Sequence, residues 1–193
     1  MNQTFPFLNY HYIVKNHEKV LKQIESLNQK LSIKYNKDYL NDLNRLWDNL
    51  TKLEMVKQNA KLVHHFIQTR LNITCTKEIE YSSFSEWYSD LASIHVGQSN
   101  GNTIGISRFL LKNLDKCIIV ITNNTRDYLR GTECVYNNIR FIRPKDASKL
   151  RGLRPDLVIL DNVSSDIVLT KVIPELNSQV MLSRRVVKVG DCN

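Results

Sequence analysis

Two stretches hold residues whose types and spacing could do phosphate chemistry. The first is Val96-Gly97-Gln98-Ser99-Asn100-Gly101-Asn102-Thr103. A glycine-containing loop of this kind binds phosphate when consecutive backbone N–H groups and the N-terminus of the next helix converge on phosphate oxygens. A lysine after the last glycine then neutralises the outer phosphates, and the following hydroxyl holds magnesium. Thr103 stands at the hydroxyl position, but Asn102 stands where the lysine belongs. Asparagine donates hydrogen bonds and brings no charge, so a triphosphate loses several kcal/mol of charge-assisted contact. Alone, the loop is a weak signal, because any strand-loop-helix junction could use it.

The second stretch follows about fifty residues later. Arg151-Gly152-Leu153-Arg154-Pro155-Asp156 leads into the apolar run Leu157-Val158-Ile159-Leu160, which ends in Asp161-Asn162. A carboxylate at the C-terminal tip of a buried parallel strand sits where sheet ligands bind. Asp161 is the candidate to hold magnesium through water, together with Thr103. Asn162 follows where a catalytic glutamate would orient the attacking water, and an amide cannot act as a base. The plainer reading is a strand closed by an Asp-Asn turn. No residue is assigned a catalytic role.

These residues need elements to position them. Val20, Leu21, Ile24, Leu27 and Leu31 recur at helical spacing, and so do Leu40, Leu43, Leu46, Trp47, Leu50 and Leu53, continuing towards Val63 and Phe66. Asn36 marks a turn between them. The spacing predicts a helical hairpin over residues 1–90, whose helices pack on each other and on the rest of the chain. A coiled coil of about three heptads is the alternative. Phe84, Trp87 and Tyr88 cluster ahead of the loop, as core anchors or as flanks for a nucleotide base.

From residue 91 strands and helices alternate. Ile94–Val96, Cys117–Ile121, Ile139–Ile142, Leu157–Leu160 and Gln179–Leu182 read as strands. Thr103–Asn113 and Ile167–Ile173 read as helices. The β-branched run from Cys117 has the composition of a strand buried on both faces of a parallel sheet. The expected fold class is therefore α/β: a P-loop-like parallel sheet flanked by helices over residues 91–193, preceded by the hairpin.

Order and spacing together make the two stretches more specific than either alone. Residues 85–190 resemble the ATPase domain of the large terminase subunit, the DNA-packaging motor of tailed phages and related viruses. The loop Val96–Thr103, the strand Cys117–Asn123, the Arg-Gly-x-x-x-Asp lead at Arg151–Asp156 and the strand ending in Asp161-Asn162 carry the resemblance. Val180–Ser183 would match a coupling motif in which Arg184-Arg185 replaces Thr-Pro. The resemblance implies binding of Mg-ATP by Gly97, Gln98, Ser99, Asn100, Gly101, Asn102 and Thr103, with magnesium on Thr103 and Asp161. The chain departs from it at Gln98, Asn102 and Asn162, and the family's nuclease domain is not expected within these residues. It therefore implies a catalytically degenerate, pseudo-ATPase relative, a viral accessory or scaffolding protein in nucleic-acid handling or DNA packaging.

Charge adds a second line. The net charge is +8 over 193 residues, with +2 in residues 1–90 and +6 in residues 91–193. Such a balance suits an acidic partner. Arg140, Arg143, Lys145, Lys149, Arg151 and Arg154 form a basic segment that could track a nucleic-acid backbone without reading sequence. A solvated loop is the plainer alternative. The four cysteines show no metal-ligand spacing. No segment is apolar for 18 residues, so no membrane span is expected. No secretory leader is read at Met1–Phe5. The expectation is a cytoplasmic protein (host cytoplasm or virion-associated if viral). Its expected partners are nucleic acid and a viral or host protein docked on the N-terminal helices, with no membrane.

Two other functions stay open. One is an active ATPase with a non-standard loop, a packaging or helicase-like motor in which Lys112, Arg184, Arg185 or a partner's residue serves the phosphates. The other is a pure protein–protein interaction module.

Overall fold

The computed structural model describes residues 8–72, 83–97, 101–125, 128, 138–176 and 185–192. Helix α1 spans Leu8–Ile33 and α2 spans Lys37–Asn72. Asn36 turns the chain between them, and its Oδ1 accepts the Asp38 N–H at 2.8 Å, capping α2. The two helices pack along each other, with Ile13, Ile24 and Leu50 buried. The apolar stripe is only half used. Leu40 and Trp47, in the N-terminal half of α2, stay 38% and 48% exposed among the described residues; α2 packs on α1 and α4.

The C-terminal half of α2 crosses helix α4, Asn102–Lys112. Two glycines allow the close approach. A Cβ on Gly105 would lie 2.5 Å from Val63 Cβ and 2.8 Å from the Ala60 carbonyl oxygen, and one on Gly101 would lie 2.8 Å from the Val56 carbonyl. The hairpin thus presses on the helix that follows the loop.

Five parallel strands form the sheet: β1 Ser93–Ile94, β2 Ile118–Thr122, β3 Ile139–Ile142, β4 Leu157–Asp161 and β5 Val186–Val189, in spatial order β1-β5-β4-β2-β3. Every residue of β2 and β4 is buried, as a strand covered on both faces requires. On one face Ile118, Val120, Leu157, Ile159, Val187 and Val189 pack with Val63 and Ile67 of α2 and Ile106, Phe109 and Leu110 of α4. On the other face Ile119, Ile121, Val158, Leu160 and Val186 meet three elements. These are helix α3 (Phe84–Asp90), a 3-10 helix (Pro144–Leu150) and α5 (Ser165–Ile167), which runs on as a π turn through Val172 and a 3-10 turn through Glu175. Trp87 and Tyr88 of α3 are buried in that second layer, so they are core anchors.

The last strand of the sheet, Val186–Val189, was not among those read from the sequence. The stretch Gln179–Leu182, expected to be the fifth strand, lies outside the described residues, and the strand that pairs is Val186–Val189. Lys188 interrupts its apolar pattern and hides it. The fold tolerates this lysine because its ammonium donates to the Tyr88 carbonyl at 3.0 Å while its stem is half-buried.

Candidate functional site

The C-terminal tips of β1, β5 and β4 bring the two candidate stretches together. Gly97 has φ 82 and Gly101 has φ 109. Gly101 sits at the N-cap of α4 and caps it with no side chain; the backbone N–H groups of a helix's first turn have no partner within the helix. Gln98, Ser99 and Asn100 lie outside the described residues. Thr103 is half-buried in the first turn of α4.

Asn102 is 6% exposed. Its Nδ2 makes a long 3.5 Å contact to the Gly97 carbonyl, and its Oδ1 is buried with no hydrogen-bond partner. Asn162 reaches towards it from β4. With φ 51 it occupies the left-handed region that asparagine tolerates. Its Oδ1 accepts the Asp191 N–H at 3.0 Å, and its Nδ2 donates to Asp161 Oδ1 at 2.7 Å. Gly190, with φ 81, closes the gap. A Cβ there would overlap the Asn162 amide and come within 2.9 Å of Asn102 Nδ2.

Asp161 is 3% exposed. Its Oδ2 accepts the Tyr128 hydroxyl at 2.7 Å and the Thr122 hydroxyl at 3.1 Å. Two hydroxyls and the Asn162 amide thus donate to this carboxylate. Thr122 ends β2, and Tyr128 stacks on Phe141 with ring centroids 4.9 Å apart. The chain leaves β2 towards the α2/α4 layer, where Tyr128 packs, and leaves β4 towards the opposite layer through Val163 and Val168. Asp161 and Thr122 therefore sit at a point where neighbouring strands diverge to opposite faces, the place where open parallel sheets bind ligands.

Three proposed sources for the missing cation fare differently. Lys112 lies in the last turn of α4, about 15 Å along the helix from Asn102. Arg185 precedes β5, at the end of the strand opposite the site. Arg184 lies outside the described residues. Asp156, part of the Arg-Gly-x-x-x-Asp lead, also sits at the far end. It clamps β2 to β4, its Oδ2 accepting the Cys117 N–H at 2.8 Å and its own N–H donating to the Cys117 carbonyl at 2.7 Å.

The basic segment runs along the β3 edge. Arg140, Arg143, Lys145, Lys149, Arg151 and Arg154 are all exposed. Arg143 pairs with Asp146 at 2.9 Å, and Arg151 pairs with Glu175 through two hydrogen bonds. These arginines hold both carboxyl groups below the usual carboxylate range. The other four form no ion pair among the described residues. Glu175 reaches Arg151 from 24 residues further along the chain, outside the basic segment.

Sequence reasoning missed Thr122, Tyr128, Gly190 and Lys188. Thr122 ends an apolar run, as Asp161 does, which was a legible signal. Tyr128 and Gly190 carried none, because only the fold brings them to Asp161 and Asn102. No helix among the described residues is long and apolar enough to cross a membrane, and no cluster of three metal-ligating side chains occurs among them. Comparison with protein-family models, with curated proteins and with solved structures yields no match.

Proposed function

We propose that the chain is a terminase-like P-loop protein that does not hydrolyse nucleotide and serves as a binding or scaffolding component in nucleic-acid handling. One observation carries the reading. Asn102 and the Asp161-Asn162 pair meet around Gly190 at the strand tips, with the order expected of a phosphate loop and its acidic strand, yet with asparagine at both the lysine position and the catalytic-acid position. The backbone at Gly101 and the first turn of α4 suits a phosphate group. Magnesium, if nucleotide binds, would rest on Thr103 and Asp161, and would supply charge neutralisation at the phosphates. Position 162, where a base would orient the attacking water, holds an amide.

The exposed cations of the β3 edge make nucleic acid the natural partner, bound through its backbone. The reading places the protein in the cytoplasm, or in the host cytoplasm or virion if viral. Titration with a fluorescent ATP analogue, with and without magnesium, and a phosphate-release assay with and without DNA test it. Magnesium-dependent binding without turnover is expected. Turnover above a Thr103→Ala, Asp161→Ala control would refute it.

A protein partner would dock on the projecting half of the hairpin, where Ile33, Tyr35 and Trp47 are exposed. Trp87 is buried and Trp47 is not, so Trp47 emission should shift to the blue in a complex. A complex formed without that shift would rule out this face.

A further inference from the structure

A cleft of about 360 Å³ opens at the β1–β5 edge of the sheet, lined by Ser93, His95, Lys188, Gly190, Asp191 and Cys192. It borders the Asn102–Asn162 cluster at Gly190 and Asp191, whose N–H donates to Asn162 Oδ1. We propose that this cleft binds the phosphate group of a small hydroxyl-bearing phosphomonoester, with Lys188 as its principal cationic contact.

The argument starts from Lys188. Its ammonium lies 4.5 Å from the centroid of the Tyr88 ring and donates one hydrogen bond to the Tyr88 carbonyl. An ammonium has three donors, and Lys188 forms no ion pair among the described residues. A cation partly withdrawn from water without a counter-ion carries a desolvation cost. Burial accordingly holds Lys188 below the ordinary lysine value. An anionic group entering the cleft would offset that cost and use the remaining donors.

His95 and Ser93 stand exposed on the rim, one with a ring N–H and one with a hydroxyl. Asp191, also exposed, works the other way. It disfavours a bare polyanion and accepts hydrogen bonds from ligand hydroxyls, which selects a phosphate attached to a hydroxylated body. The volume suits a small ligand rather than a polymer. This site does not depend on nucleotide binding at the loop.

Lysine acylation followed by peptide mass spectrometry on the full chain tests it, with ribose 5-phosphate, AMP, inorganic phosphate and ribose as probes. Protection of Lys188 by the two phosphomonoesters, with exposed Lys145 unprotected, is expected. Titration calorimetry should show K188Q weakening ribose 5-phosphate binding about tenfold or more, with K188R retaining most of it. Equal acylation of Lys188 at millimolar phosphomonoester, protection by ribose alone, or undiminished binding by K188Q would each overturn the assignment. Stronger protection by inorganic phosphate than by ribose 5-phosphate would overturn the preference for a hydroxylated body. Protection of Lys188 in a chain whose loop binds no ATP analogue would support the cleft and sink the nucleotide-loop reading alone.

Discussion

Replacing Gly190 by alanine puts a methyl group where the two site amides meet. The new Cβ would lie 2.8 Å from Asn162 Cγ and 2.9 Å from Asn102 Nδ2. Neither amide can swing freely. Asn162 is held by Asp161 at 2.7 Å and by the Asp191 N–H at 3.0 Å, and Asn102 is packed at 6% exposure. Three costs add. A side chain at φ 81 costs about 1–2 kcal/mol. Overpacking a filled site costs about 1–3 kcal/mol. Losing the Asp191–Asn162 hydrogen bond costs about 1 kcal/mol. The expected destabilisation is roughly 3–6 kcal/mol, a fall in Tm of about 10 °C or more for a chain of this size. Urea denaturation measures it. Asn162→Gly supplies the partner for a double-mutant cycle, since it removes the atoms that the methyl meets and leaves the backbone strain. Gly190→Ala should then cost about 1–3 kcal/mol less in the Asn162→Gly background than alone. A single-mutant cost under about 1 kcal/mol, or additivity within about 0.5 kcal/mol, would refute the claim that the three residues form one packed site.

Gly105→Ala should destabilise by about 1–3 kcal/mol, although alanine is the better helix former, because its Cβ meets Val63 and the Ala60 carbonyl of α2; a neutral or stabilising result in thermal denaturation would show that α2 and α4 are not this close. Reversing Arg140, Lys145 and Lys149 to glutamate should weaken DNA binding and flatten the slope of log K against log salt by about 0.9 per lost phosphate contact, whereas an unchanged slope would clear the β3 edge of any role. Burial, with smaller contributions from Arg108, Lys112 and His65, lowers the pKa of His64 from 6.5 to about 4. Between those values the unfolded chain binds the extra proton, so stability should fall as pH drops from about 6.5 towards 4. His64→Leu should flatten that dependence in urea titrations, and an identical pH profile would contradict it.

The parts of the fold that were legible in the sequence share one property: their signal is local. Ile118–Ile121 is β-branched and uninterrupted, so it reads as a doubly covered strand, and it is one. Asn36 and the two flanking periodic runs announce a hairpin. Val186–Val189 failed to announce itself because Lys188 breaks its pattern. A lysine is acceptable there only because Tyr88, one hundred residues earlier in the chain, offers its carbonyl and ring face. The candidate site was half legible. The residue types at 97–103 and 161–162 gave its chemistry and its departures.

By itself the sequence determined the α/β class, the hairpin, and the absence of a lysine at position 102 and of an acid at position 162, since residue identity and periodicity are properties of the chain. Only the tertiary structure decided which residues meet. It placed β5 between β1 and β4, which put Gly190 between the two asparagines. It gave Asp161 its hydroxyl partners and spent Arg143 and Arg151 on neighbouring carboxylates. Those outcomes depend on strand order and register, which arise from packing between segments distant in the chain, and a linear pattern does not encode them.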